Sequence, residues 1–207
     1  MEPTSILSSL FEQLRQQTPL DWSITLTAIL YVVLAARENK WCWPWGILSS
    51  LLWAYADFFR YNLWADGVLQ LFYAGMGFWG IYAWTGGERQ GAENHSQIQS
   101  WLMKQHLPIL IAGGLLGLLL GYGFKHFTPT ALPYADSFIT AFSIFATVLT
   151  IRKVLECWLY WIVLDAAAVF LFLSRDALLV ALVMLIYTGI SVSGYISWRR
   201  KAQSRGD

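Results

Sequence analysis

The chain has 207 residues, of which 57% are hydrophobic and 13% charged, with 14 Lys and Arg against 13 Asp and Glu. That charged fraction is about half of what a soluble domain carries, so a soluble enzyme is excluded. A net charge of +1 leaves no basic surface of the kind that holds a nucleic acid.

Met1–Gln17 includes Glu12 and Arg15 and lacks a long apolar core, so no cleavable signal is expected. Ile6–Leu14 reads as a short amphipathic helix lying on the membrane. Seven apolar stretches follow, each near the length that crosses a lipid bilayer: Leu20–Ala36, Trp43–Phe59, Asp66–Trp84, Leu107–Phe127, Ser137–Ile151, Trp158–Leu173 and Ala177–Trp198. The fifth is short, with soft boundaries. Polar breaks separate them: Arg37–Lys40, Arg60–Asn62, the long Thr85–His106 linker, Thr128–Tyr134, Arg152–Lys153 and Ser174–Asp176. The 12 Trp and 10 Tyr suit the two bilayer–water interfaces.

With seven spans, one side of the membrane holds Arg15, Arg60, Lys125 and Arg175. The other holds Arg37, Lys40, Arg89, Lys104, Arg152, Lys153, Arg199, Arg200, Lys201 and Arg205. Cytoplasmic loops carry the basic excess, which puts the N-terminus outside and the C-terminus in the cytoplasm.

Leu71, Tyr73, Gly75, Gly80 and Trp84 recur at constant spacing as Leu185, Tyr187, Gly189, Gly194 and Trp198. Upstream, Arg37 before Trp45 mirrors Arg152 before Trp161 with one residue of slippage, and Cys42 matches Cys157. Two cysteines are too few for a disulfide framework, and facing the reducing cytosol they are expected to be free. The expected architecture is therefore an all-α integral membrane protein, a single transmembrane domain over residues 1–207. Within it lie a first three-helix repeat (20–84), a cytoplasmic linker (85–106), a linker helix (107–127) and a second three-helix repeat (137–198). A single linker helix makes the two halves parallel, an arrangement found in transporters that hold substrate near mid-membrane at the repeat interface. Gly117-x-x-x-Gly121 in the linker helix permits close approach of another helix, for packing between the halves or for an oligomer contact.

A carboxylate at the bilayer centre costs roughly 2.5–3.5 kcal/mol, so it faces protein or water. Asp165 is the candidate for a site, four residues after Trp161 and on the same helix face. Asp57, near a helix end, is expected to be hydrated and structural, and Asp66 to cap its helix. Further candidates share helix faces: Trp45, Ser49 and Trp53; Gln70 and Tyr73; Thr140, Ser143 and Thr147; Tyr187 and Ser191. In the bland alternative the hydroxyls bond the preceding turn and the aromatics only pack. Trp faces attract cations. A flat cationic heteroaromatic stacked between Trp rings, with Asp165 balancing its charge and Gln70 and the hydroxyls holding a ribose or similar arm, fits the set. No cofactor or metal is called for.

The run Arg152-Lys153-x-x-Glu156-x-Trp158-x-x-Trp161, followed by Asp165, resembles the second-half signature of the PnuC vitamin transporter family. Trp43-Pro44-x-Gly46, Leu63-x-Ala65-Asp66-x-x-Leu69-Gln70-x-x-Tyr73 and Gly80-x-Tyr82-x-Trp84 are similar to its first half. The likeness runs from about Ile24 to Trp198. It implies a seven-helix 3+1+3 fold akin to the SWEET sugar transporters, a homotrimer, residence in a bacterial inner membrane, and facilitated diffusion of an unphosphorylated vitamin that a cytosolic kinase retains. It also implies a pocket at the Trp and Gln-x-x-Tyr positions, which in this chain includes Trp158. Nicotinamide riboside is the expected substrate, with thiamine next and the larger, neutral riboflavin third. Some nicotinamide riboside carriers have Asn where this chain has Asp165, and a carboxylate suits either cation.

Three other classes fit less well. A retinal photoreceptor needs a Lys inside the last helix, and Lys201 lies beyond Trp198. An intramembrane hydrolase needs a nucleophile and base within a span, whereas His95, His106 and His126 fall in or beside loops. A substrate-binding subunit of an energy-coupled importer would not need duplicated halves. The chain has no nucleotide motif, so transport by it alone would be passive or ion-coupled.

Overall fold

Helix starts in the computed structural model follow local capping chemistry. The model describes residues 3–61, 63–90, 97–127 and 132–204. Its helices are α1 (Pro3–Gln16), α2 (Pro19–Ala36), α3 (Cys42–Ala56), α4 (Trp64–Gln90), α5 (Met103–Phe127), α6 (Pro133–Ile151), α7 (Cys157–Leu173) and α8 (Leu178–Ser204). Thr18 caps α2 in a reciprocal box with Asp21, and Pro19 takes the first helical position, where a missing N–H costs nothing. Pro133 does the same for α6. Asn39, ahead of α3, accepts from the Trp41 N–H at 3.0 Å.

Each apolar stretch of the sequence is a helix, with boundaries moved by a few residues. α2, α5, α6 and α8 are long and apolar enough to cross a membrane, and α7 is apolar over 17 residues. α3 has 15 residues but runs on into a π-helical turn, Asp57–Tyr61. α4 has the length but is diluted by Trp, Tyr and Gly. α1 covers the amphipathic stretch, exposes Leu7 and Phe11, and packs on no other helix among the described residues.

Three expectations change. α4 runs to Gln90 and α5 starts at Met103, so the linker is shorter than 85–106. Its residues 91–96, including His95, lie outside the described residues, as do Asn62 and positions 128–131 of the Thr128–Tyr134 break. Asp66 is not a cap, because α4 begins two residues earlier and leaves it in the first turn. A carboxylate there still meets the positive end of the helix dipole. Asp57 is enclosed, not hydrated: it is 3% exposed, one turn after the buried Ala54 of α3, with Asp66 near enough to feel its charge.

The chain divides after residue 96 into two compact units. In the first, α3 packs between α2 and α4. Trp43 lies edge-on to Trp84 (5.4 Å, 90°), and a Cβ on Gly80 would run into the Trp43 ring. Arg60 donates to Thr18 Oγ1 at 2.7 Å, and the Tyr61 hydroxyl donates to Asp21 Oδ1 at 2.7 Å, fastening the end of α3 to the start of α2.

In the second unit α5 packs on α6, α6 on α7 and α7 on α8. Trp158 lies edge-on to Trp198 (5.5 Å, 86°), and a Cβ on Gly194 would sit 2.7 Å from the Trp158 ring. Arg175 pairs with Asp136 at 2.7 Å, joining the end of α7 to the start of α6. The two units thus share an internal pattern. Asp21 and Asp136, Cys42 and Cys157, Trp43 and Trp158, and Arg60 and Arg175 each stand 115 residues apart. So do Glu38 and Lys153, which both take the left-handed backbone (φ 59° and 53°) in the turns before α3 and α7. The matching tryptophans are therefore Trp43 and Trp158, which removes the slippage in the Trp45–Trp161 alignment.

The repeated glycines play unequal roles. Gly80 and Gly194 are locked against indole rings, whereas a Cβ on Gly75 or Gly189 would meet nothing within 4 Å. Gly113, Gly117 and Gly121, one turn apart on α5, receive Phe142, Phe138 and Tyr134, one turn apart on α6. The small-residue face of the linker helix is thus filled by its neighbour in the same unit.

Candidate functional site

In the second unit three helices bring polar groups together in an apolar setting. α7 supplies Asp165, which is 8% exposed, and Ser191 of α8 donates to its Oδ2 at 3.0 Å. Tyr187, one turn before Ser191, is close enough to Asp165 to feel its charge. Trp161, one turn before Asp165, donates its indole N–H to Thr150 Oγ1 of α6 at 3.2 Å. Thr150 passes its own proton to the Ala146 carbonyl at 2.9 Å. Asp165, Ser191 and Tyr187 thus gather between α7 and α8, and Trp161, one turn away on the same face of α7, ties that helix to Thr150 of α6. Such a set can hold a cation and hydrogen-bond a polar arm.

The remaining candidates divide by location. Thr147 is buried but bonds the Ser143 carbonyl of its own helix at 2.8 Å, as the bland reading of the hydroxyl stripe expects, while the Ser143 side chain and Thr140 are half-buried. Trp158 is enclosed by its own unit, 2% exposed, between Gly194 and Trp198. In the first unit Ser49 is buried and reaches the Ile24 carbonyl of α2 at 3.4 Å. Trp45 and Trp53 are 37% and 38% exposed, and Gln70 and Tyr73 are half-buried. This unit has no counterpart of the Asp165–Ser191 pair: the positions 115 and 114 residues earlier are Ser50 and Gly77.

Sequence reasoning missed Thr150 as the partner of Trp161, and the eleven-residue separation across a turn gives no periodic signal for it. It also missed a second polar cluster around Glu156, His106 and Tyr160, where the His106 Nδ1 lies 3.2 Å from the Tyr160 hydroxyl. His106 is buried, not in a loop, because α5 starts three residues before it. Among the described residues no three His, Cys, Asp or Glu side chains gather as a metal site would require.

Helices of this length and apolarity, with a carboxylate enclosed among them, define a multi-pass helical membrane protein. A family model described as nicotinamide mononucleotide transporter matches residues 18–200, and the chain belongs to that family of transporters. The chain is 26% identical to the nicotinamide riboside transporter PnuC of Escherichia coli (strain K12), covering 88% of this chain and 85% of the relative. It is 22% identical to the riboflavin/roseoflavin transporter RibM of Streptomyces davaonensis, covering 87% and 85%. The crystal structure of a vitamin B3 transporter PnuC shares the fold, with a TM-score of 0.73 and 22% identity over 96% of this chain and 88% of the other.

Proposed function

We propose that the protein is a carrier for an unphosphorylated, cationic vitamin, and that nicotinamide riboside is its substrate. The observation that carries this reading is the enclosed Asp165–Ser191 pair beside Trp161 and Tyr187, in a chain of a transporter family. The carboxylate matches the positive pyridinium ring, and Trp161 offers an aromatic face to it. α6, α7, and α8 as far as Trp198, contain no Lys or Arg. A phosphate would therefore meet Asp165 without a counter-charge, which favours the riboside over the mononucleotide in the family's description. In the first unit Gln70, Tyr73, Trp45, Ser49 and Trp53, and in the second Ser143 and Thr147, are further candidates for substrate contact, whereas Trp158 acts from within its own unit as a packed wall.

The rest of the proposal follows from loop charge and internal pattern. Seven helices, α2 to α8, cross a bacterial inner membrane with the N-terminus outside. Two three-helix repeats flank the single helix α5, as the shared Asp, Arg, Gly and Trp geometry supports. The carrier works by alternating access as a homotrimer. It shifts no equilibrium by itself, so a cytosolic kinase traps what enters.

Thiamine is the second reading, because Asp165 balances its charge equally well. Purified protein in liposomes, offered labelled nicotinamide riboside, nicotinamide mononucleotide and thiamine, tests the proposal. Saturable uptake of the riboside to the outside concentration and no further, with exclusion of the mononucleotide, is expected. Folded protein that neither transports nor binds the riboside or thiamine sinks the carrier reading.

A further inference from the structure

The segment ahead of α5 is tied to the first turn of α7. Gln99 pairs with Val154 in an isolated parallel bridge: its N–H donates to the Lys153 carbonyl at 2.9 Å, and its carbonyl accepts from the Leu155 N–H at 2.8 Å. The next two residues both bond the Glu156 carboxylate. Ser100 Oγ donates to Oε1 at 2.6 Å and the Trp101 N–H to Oε2 at 3.0 Å. Trp101 then packs on His106 and His106 on Tyr160, each with ring centroids 5.8 Å apart.

Glu156 and Tyr160 are one turn apart on a single face of α7. At 3.6 residues per turn, Trp161 and Asp165 point roughly 140–180° away from Glu156. One side of the helix thus carries the candidate site and the other is strapped. Glu156 occupies the cap position of α7 but makes no capping bond, and both carboxylate oxygens go to the strap. The matching turn of the first unit is built differently. Trp41 stands where Glu156 does, and Asn39 closes that turn on itself through the Trp41 N–H.

We infer that Glu156 is a positioning residue: by holding residues 99–101 against the start of α7, it sets the rotation of that helix and so the presentation of Trp161 and Asp165. The effect on transport rests on the carrier reading above, whereas the effect on α7 does not.

Two measurements test it on the full chain in liposomes. In nicotinamide riboside uptake, Glu156→Ala raises the half-saturating concentration about three- to tenfold with little change in maximal rate per folded molecule, as for the loss of a group that orients a binding residue. Glu156→Gln, which keeps one acceptor oxygen, recovers most of the loss. Gln99→Pro removes the donor on the strap side and reproduces the Ala phenotype, and the double variant is no worse than either single one. Hydrogen–deuterium exchange of residues 157–165 rises in the same variants whether or not the riboside is the substrate. Unchanged half-saturation in Glu156→Ala, with only the yield of folded protein reduced, overturns the inference. So does unchanged exchange across 157–165, and wild-type protein that carries no riboside fails the carrier reading alone.

Discussion

Asp165→Asn is expected to raise the half-saturating concentration of nicotinamide riboside at least tenfold while leaving the protein folded. Asparagine has nearly the same volume and keeps an oxygen for the Ser191 hydroxyl, which lies 3.0 Å from the native carboxylate. Only the charge is lost. Hydrogen bonds and contacts to an ionised group are worth roughly 1.5–3 kcal/mol, and about 1.4 kcal/mol corresponds to a factor of ten. Asp165→Ala goes further, because it strips Ser191 of its acceptor and leaves a void between α7 and α8. Uptake by liposomes, with thermal unfolding in detergent as the control for folding, separates the two variants. Equal affinity in wild type and Asp165→Asn would make Asp165 a structural group and move the substrate elsewhere.

Gly194→Val and Gly80→Val are each expected to destabilise the protein by about 2–3 kcal/mol, the scale of an overpacked helix contact. The added carbons meet the faces of Trp158 and Trp43, not flexible side-chain ends. Neither ring has room to retreat. Trp43 is held between Tyr31 and Trp84, and Trp158 lies against Trp198. Gly75→Ala and Gly189→Ala provide the internal contrast, since nothing stands within 4 Å of the new methyl and a helix gains from losing glycine. Thermal unfolding of the four variants should therefore divide them by position along the helix. A uniform response would show that the indole contacts do not hold α4 to α3 and α8 to α7.

The helices were legible because apolar runs broken by Arg37–Lys40 or Ser174–Asp176 have few other readings in a chain this poor in charge. The family was legible too, from Trp158, Trp161 and Asp165 at fixed spacing. What escaped was set by contacts that spacing does not encode. Asp57 looked like an interfacial carboxylate, but it continues the buried side of α3 and is 3% exposed. Gly80 and Gly194 stood out only as repeated positions, because a glycine signals close approach without saying what approaches. Trp43 was read as part of a family motif and not as the counterpart of Trp158, since the repeat was aligned on the more visible Trp45. The strap was hidden because its partners, Gln99–Trp101 and Val154–Glu156, lie more than fifty residues apart and bond largely through backbone groups.

Cys42 and Cys157 occupy matching places at the start of α3 and α7; neither forms a disulfide and both are fully enclosed, at 0% exposure. Buried thiols in apolar surroundings are inert to reagents that attack the thiolate. The native chain is in effect a silent background for site-directed labelling. A fluorophore or spin probe attached through one introduced cysteine reports on that position alone, so motion within each half can be followed without first deleting the thiols that help pack it.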